Sequence, residues 1–398
     1  MATLLETCGI SPPTGNTADQ LTVPLTFFDI PWMNFHPIRH LLFYDYPCSK
    51  AYFLETLVPK LKQSLSLTLK HYLPLSGNLL YPLNTVDEKP VFRYVAGDSV
   101  SLAIAESNND FDELVGNLAR DADQFYDFVP ELPPVKLDES NYQTVPVIAL
   151  QVTLFPGRGI CIGFSNHHCV GDASSIVGFI RAWASISKLD EDEFLTMPIF
   201  DRSVIKDPLG IDNILCKKMK VIPLKSWSFL CLVKSGEELV DDDVLECFIF
   251  MIDLRAHISP PVPPNYFGNC LGCGKAKIEH KQLFGEEGFV IAVEAIAEEI
   301  KNKVNKKDQV LKGAENRLSG PGESREIRAL GVSGSPKFDL CSADFGWGKV
   351  KKLEVLSIDG EKYTMSLCKS TDSEGGLEVG LSLPKERMEA FAAIFAQG

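Results

Sequence analysis

An α/β protein organised as two domains is the fold class that three observations predict. The chain has 398 residues, more than one hydrophobic core usually organises. Apolar residues make up 45% and charged residues 23%, ample material for packed interiors. Short runs rich in Val, Ile, Leu and Phe alternate with longer stretches of helical periodicity. The first domain is placed at 1–190 and the second at 227–398. Residues 191–226 form the crossover, a mixed stretch broken by Pro198, Asp207-Pro208 and Pro223.

Leu21–Thr26 reads as a short strand, followed by an aromatic- and proline-rich connection over Asp29–His40. Leu41–Tyr46 is a second strand. Ser49 stands as N-cap of a helix over Tyr52–His71, where Phe53, Leu57, Leu61, Leu65 and Leu69 recur at helical spacing. Leu73-Pro74-Leu75-Ser76-Gly77 stops that helix. Val91–Val95 is a strand and Phe111–Ala119 a short helix. Val145–Phe155 and Gly159–Ser165 are β-rich runs joined through Pro156-Gly157-Arg158-Gly159, which is hairpin chemistry. A helix over Ala173–Ser187 carries Ile176, Ile180 and Trp183 on one face. In the second half, Cys247–Asp253 is a strand, Pro260–Pro264 a loop and Glu287–Val304 an amphipathic helix. Gly313–Glu323 is a surface loop. Tyr363–Lys369 and Leu377–Leu383 are strands joined by a turn at Ser370–Gly376, and a terminal helix starts near Pro384.

The net charge is −14, from 39 basic and 53 acidic residues, which argues against a nucleic-acid partner. The densest basic run, around Lys301–Lys307, reads as a solvated helix face. Eleven scattered cysteines fit free thiols in a reducing compartment. Met1–Asp19 has no signal-peptide pattern, and no apolar run reaches the roughly 18 residues of a membrane span. A soluble cytoplasmic monomer with no membrane partner is expected. Cys270-Leu271-Gly272-Cys273 has zinc-knuckle spacing but no second pair, so no metal is expected. There is no phosphate-binding loop, dinucleotide fingerprint or G-x-S-x-G elbow, and no bound cofactor is expected.

The sharpest chemical feature is the strand–loop–helix around His168. A histidine at the mouth of a strand can act as general base near neutral pH. Asp172, four residues on, starts the following helix. Taken alone, the pair has a plainer reading: Asp172 caps the helix through Ser174 or Ser175, and His168 is structural.

Asp344-Phe345-Gly346-Trp347-Gly348 lies far downstream, before Lys349, Lys351 and Lys352. H-x-x-x-D followed at a distance by D-F-G-W-G resembles the paired signature of the BAHD acyltransferases. Leu73–Gly77 resembles that family's L-P-L-S-G run. Tyr266-Phe267-Gly268-Asn269-Cys270 resembles the segment typical of its malonyl-transferring branch. The resemblance covers nearly the whole chain.

The resemblance implies two similar-sized domains, each a mixed sheet flanked by helices and related to chloramphenicol acetyltransferase, with the active site in the channel between them. It implies acyl transfer from an acyl-CoA co-substrate, malonyl-CoA by the branch, to a sugar hydroxyl of a phenolic, flavonoid or anthocyanin glucoside. His168 is then the base, Asp172 orients its loop by pairing with an arginine, for which Arg255 is the candidate, and Asp344 is carried as catalytic at lower weight. Arg181 is a candidate for the malonyl carboxylate. Asn269 and Trp347 are further candidate substrate contacts, and Lys349, Lys351 and Lys352 are candidates for the CoA phosphates. Acetyl-CoA or a hydroxycinnamoyl-CoA is the alternative donor.

Between Val221 and Asp253 the chain is shorter than the family's pattern. Ile222–Phe229 resembles the start of a longer stretch and Cys231–Glu238 its end, with Leu230 almost alone between them. The resemblance implies that tens of residues are missing there, including a strand of the second domain and part of the acyl-CoA channel. A non-catalytic or impaired relative that keeps the fold is therefore the alternative function.

Overall fold

The computed structural model describes the chain except residues 16, 84–87, 138–141, 190–195, 220–243, 284–286, 305–326, 357–363, 372, 374–375 and 396–398. The Phe229-Leu230-Cys231 junction and the Gly313–Glu323 loop lie outside the described residues.

The first half contributes β1 (Ala2–Ile10), β2 (Gln20–Pro24), β3 (Ile38–Tyr44), β4 (Asn78–Pro82) and β5 (Val91–Val95). It continues with β6 (Val100–Ser107), β7 (Lys136–Leu137), β8 (Tyr142–Pro146), β9 (Ile148–Phe155) and β10 (Gly159–Asn166). The second half adds β11 (Leu245–Asp253), β12 (Leu271–Glu279), β13 (Ile327–Ser333), β14 (Lys352–Val355), β15 (Thr364–Lys369) and β16 (Leu377–Leu381). They form a mixed sheet in the order β1-β6-β9-β10-β3-β14, a second mixed sheet β12-β11-β13-β15-β16, and a smaller antiparallel sheet β2-β5-β4-β8-β7. β14 crosses from the second half to pair with β3, so the segment after Asp344 is built into the first sheet.

Local chemistry accounts for several departures from the sequence expectation. The run read as one strand, Val145–Phe155, is shared between two sheets: β8 ends at Pro146, which has no N–H to extend a ladder, and β9 begins at Ile148 in the large sheet. Ser49 caps the expected helix, its Oγ accepting from Tyr52 N at 3.2 Å. That helix is not uniform. Val58 N–H reaches back five residues to Phe53 O before the regular turns of Val58–His71 begin. Pro59, without a donor, relaxes the ladder at that point. β12 escapes a hydrophobic reading because its buried positions are Gly272, Gly274, Ala276 and Ile278. Small residues are required there: a Cβ at Gly274 would strike the Phe250 ring, and one at Gly272 would press on Leu254.

The large sheet has two apolar faces. Leu42, Tyr44, Ile162 and Phe164 face the main core, which also holds Trp183 from the Ala173–Leu189 helix and Leu254, Phe267, Cys270, Phe345 and Trp347 from the second half. Leu41, Phe43, Phe155 and Cys161 face a smaller cluster with Phe111, Phe128 and Leu356. One core therefore runs across both halves of the chain.

Gly163, in the middle of β10, lies against the Phe128 carbonyl, with no room for a Cβ. Gly163→Ala is expected to destabilise the protein by about 1–3 kcal/mol through overpacking. Chemical denaturation of parent and variant checks this, and an unmoved midpoint would refute it.

Candidate active site

β10 ends at Asn166 and delivers the catalytic candidate into a tight turn. His167 donates its backbone N–H to Val147 O at 2.8 Å, and its Nδ1 accepts from Cys169 N at 3.4 Å, which caps the turn His168–Val170. The half-buried His168 ring stacks on Trp32, with centroids 3.8 Å apart and planes within 10°. Phe35 meets it edge-on at 5.7 Å. Burial pushes His168 down to about 4; its own backbone carbonyl and the Asn269 side chain pull the other way. His167 is held down to about 4, again chiefly by burial. At neutral pH both rings are uncharged.

Trp32 and the His168 loop are tied to the second half by one residue. Asn269 is fully buried, and its Nδ2 lies 3.0 Å from Asp29 Oδ1 and 3.1 Å from the carbonyls of both His168 and Cys169. Asp29 Oδ1 also accepts from Asn269 N at 3.0 Å, while its Oδ2 accepts from Thr26 N and Oγ1, each at 2.9 Å. The carboxylate thus ties the Thr26–Asp29 turn that leads into Ile30–Trp32 to the Asn269 loop.

Asp172 points away from the His168 ring and into a buried ion pair. Arg255 grips it at both oxygens, Nη1 to Oδ2 at 2.7 Å and Nη2 to Oδ1 at 3.0 Å. Ser175 N donates to Oδ1 at 3.3 Å, so the same carboxylate caps the following helix, and Cys270 N donates to Oδ2 at 3.1 Å. Arg255 also donates to the Tyr266 and Gly268 carbonyls. Arg202 binds the Phe267 carbonyl at 2.7 Å and the Tyr266 hydroxyl. Gly268 has φ +155°, and a Cβ there would collide with the Arg202 guanidinium. Glycine alone lets the two arginines close around this segment.

The D-F-G-W-G segment forms a separate cluster. Gly346 and Gly348 both take φ +90°, curling the chain so that Asp344 Oδ1 accepts from their N–H groups at 2.8 and 3.0 Å. Lys188 holds the other oxygen at 2.7 Å. Phe345 packs edge-on against Trp183 at 5.0 Å, and Trp347 lies against Tyr44 and Tyr46. Lys352 is buried and bonded to Glu378 and Asn117, whereas Lys349 and Lys351 are exposed. Arg181 is exposed on the Ala173–Leu189 helix.

The fold therefore brings His168, Asp172, Arg255 and Asn269 together. It places Asp344 and Trp347 in the D-F-G-W-G cluster and Arg181 on the surface. Trp32, Asp29 and Arg202 belong to the His168 centre but were not singled out from sequence. For Trp32 and Asp29 the one signal was the aromatic, proline-rich character of Asp29–His40; Arg202 had none. Among the described residues, no group of three or more His, Cys, Asp or Glu is placed to hold a metal, and no helix is long and apolar enough to cross a membrane.

Comparison with known proteins sharpens the picture. The chain is 51% identical to a malonyl-coenzyme:anthocyanin 5-O-glucoside-6'''-O-malonyltransferase of Salvia splendens, over 441 aligned positions covering 99% of this chain and 94% of the relative. It is 42% identical to phenolic glucoside malonyltransferase 1 of Nicotiana tabacum, over 455 positions covering 100% of this chain and 99% of the relative. Both alignments are longer than the 398 residues of the chain, so the relatives carry segments that it lacks. The crystal structure of vinorine synthase superposes with a TM-score of 0.67 at 19% identity, covering 98% of this chain and 96% of that one. A structure of TRI101 from F. sporotrichioides, complexed with coenzyme A and T-2, superposes at 0.62 with 14% identity, covering 94% and 97%. The model of the Transferase family matches residues 3–225 and 227–397, nearly the whole length, and with these relatives it shows that the chain belongs to that family, the BAHD acyltransferases.

Proposed function

We propose that the protein transfers a malonyl group from malonyl-CoA to a sugar hydroxyl of a phenolic, flavonoid or anthocyanin glucoside, with His168 as base. The observation that carries this reading is an uncharged imidazole, stacked on Trp32, on a loop that Asn269 and the Asp172–Arg255 pair tie to the second half. The two curated relatives, by their names malonyltransferases acting on glucosides, supply donor and acceptor class.

The acceptor O–H gives its proton to the His168 ring as its oxygen bonds to the thioester carbonyl carbon. Nδ1 is buried, which leaves Nε2 for this exchange. The tetrahedral oxyanion collapses, the C–S bond breaks, and the CoA sulfur takes the proton back from the imidazolium. No acyl-enzyme forms. Holding both substrates against one base supplies much of the rate. Asp172 acts as a positioning residue, with both its oxygens occupied by Arg255 and backbone donors. Asn269 keeps the His168 loop in place. Asp344 is proposed to shape the D-F-G-W-G loop. Trp347 remains a proposed acceptor contact. Arg181 is proposed for the malonyl carboxylate, and the exposed Lys349 and Lys351 for the CoA phosphates. The free cysteines support a reducing compartment, and we place the protein in the cytoplasm as a monomer.

A second reading has its own support. The alignments exceed the chain in length, and the family model breaks at residue 226, inside the short Val221–Asp253 stretch. A relative impaired on its donor side fits those facts. Three outcomes are expected. His168→Ala should lower malonyl transfer by about 10²–10⁴-fold in a thiol-release assay with phenolic glucosides, and release at the parent rate would remove His168 as base. The acid limb of kcat/KM should lie well below the usual histidine value of about 6.5, because His168 must be uncharged to act and burial lowers its protonation toward about 4. An inflection near 6.5 would contradict that environment. A chain carrying the relatives' extra segment should bind malonyl-CoA more tightly by calorimetry and melt higher; equal affinity and equal melting would dismiss the impaired reading.

A further inference from the structure

Among the buried polar atoms of the described residues that have no hydrogen-bond partner, two stand on neighbouring strands beside the His168 loop: Asn166 Oδ1 and His40 Nδ1. Asn166 is only 2% exposed. An unpaired buried acceptor or donor costs about 1–3 kcal/mol, so a native fold keeps one only with a reason.

Strand register puts these two on the same face. Asn166 pairs with Ile38, and His40 pairs with Phe164, on neighbouring antiparallel strands. Directly opposed residues point the same way, so His40 and Asn166 are diagonal neighbours, with Cβ atoms about 7 Å apart. Ile162, Phe164, Leu42 and Tyr44 show which face this is, since all four lie in the core shared by the two halves. The ring of His40 is fixed, stacked on Phe164 at 5.0 Å and 17°, with Val355 of β14 opposite on its other side. Asn166 stands at the end of β10, two residues before His168. Both atoms therefore lie on the core-facing side of the large sheet beside the His168 turn, closed to water in the ligand-free chain.

We propose that His40 and Asn166 form a specificity pair that holds a second hydroxyl of the acceptor sugar while His168 takes the proton of the reacting one. This rests on the reading of the chain as a glucoside acyltransferase. The chemistry matches a polyol. A neighbouring sugar O–H donates to Asn166 Oδ1, and a second hydroxyl of the same sugar accepts from His40 Nδ1 when that nitrogen is protonated or donates to it in the other tautomer. Burial keeps His40 uncharged at neutral pH, so it offers a directed hydrogen bond and does not repel an imidazolium forming at His168. A simple alcohol has nothing to give the pair.

The test compares malonyl transfer to phenyl β-glucoside, to its series of monodeoxy analogues, and to 2-phenylethanol. The parent, His40→Leu, Asn166→Leu and the conservative His40→Gln are measured side by side, with malonyl-CoA affinity and melting temperature as controls on folding. In the parent, at least one deoxy analogue should lose about tenfold in kcat/KM. The Leu variants should lose about tenfold on the full glucoside, lose nothing further on that analogue, and match the parent on 2-phenylethanol; His40→Gln should restore part of the discrimination. Should a Leu variant fail to fold, His40→Gln and the deoxy series in the parent still decide. Equal losses on glucoside and 2-phenylethanol, or variants that discriminate as the parent does, would overturn the pair alone. A parent that acylates 2-phenylethanol but no glucoside would overturn the proposed acceptor class and the pair with it.

Discussion

The site depends on one buried ion pair, Asp172 with Arg255. Both side chains are almost wholly out of water, at 2% and 4% exposure. Such a pair forfeits several kcal/mol of hydration per ion and stands only if its remaining hydrogen-bond capacity is filled. It is filled here. Asp172 accepts from two guanidinium nitrogens and the backbone of Ser175 and Cys270; Arg255 also reaches Asp253, Tyr266 and Gly268. Removing either partner strands a charge in the interior, a loss of about 3–5 kcal/mol. What the arrangement secures is register: Asp172 starts the helix behind His168, Arg255 follows β11, and the two halves meet at one fixed offset.

A second carboxylate repeats the logic. Asp29 is fully buried and is met by the backbone and side chain of Asn269 and by Thr26, with Arg202 3.8 Å away. Two carboxylates from the first half thus converge on Tyr266–Cys270 of the second. Asn269 can then lend its amide to the carbonyls of the turn bearing the base. The proton chemistry proposed for His168 needs a ring placed to a fraction of an ångström. Here the ring is clamped between an aromatic face and a loop whose carbonyls are pinned.

Much of this was legible in the sequence, and the rest was hidden for physical reasons. Strands with large inward residues, such as β10 and β11, announce themselves. β12 does not, because Phe250 and Leu254 fill the space its own glycines vacate. The Val145–Phe155 run looks continuous because a sheet change at Pro146 leaves hydrophobicity unbroken. His168, Asp172 and Arg255 could be singled out because they stand in recognisable local patterns. Trp32, Asp29 and Arg202 act through contacts at long sequence separation, which no local pattern records. Arg181 shows the opposite failure. It sits on the right helix, but Ile180 and Trp183 claim the inward face and leave it in solvent.

The division of labour between the two long-range motifs follows from their packing. Around His168 the carboxylates of Asp172 and Asp29 are fully met, while Asn269 Oδ1 and the Nε atoms of Arg202 and Arg255 beside them are not. Along the adjoining face of β3 and β10, Asn166 and His40 are left without partners in the described chain. A fold that satisfies two buried carboxylates with four or more donors each has no shortage of ways to satisfy an amide oxygen. The satisfied groups hold geometry. On the reading proposed above, the unpaired atoms of Asn166 and His40 meet a ligand on the core-facing side of the large sheet, beside the proposed base. Asp344, by contrast, spends its oxygens on Gly346, Gly348 and Lys188, which ties the D-F-G-W-G loop to the helix behind the proposed base.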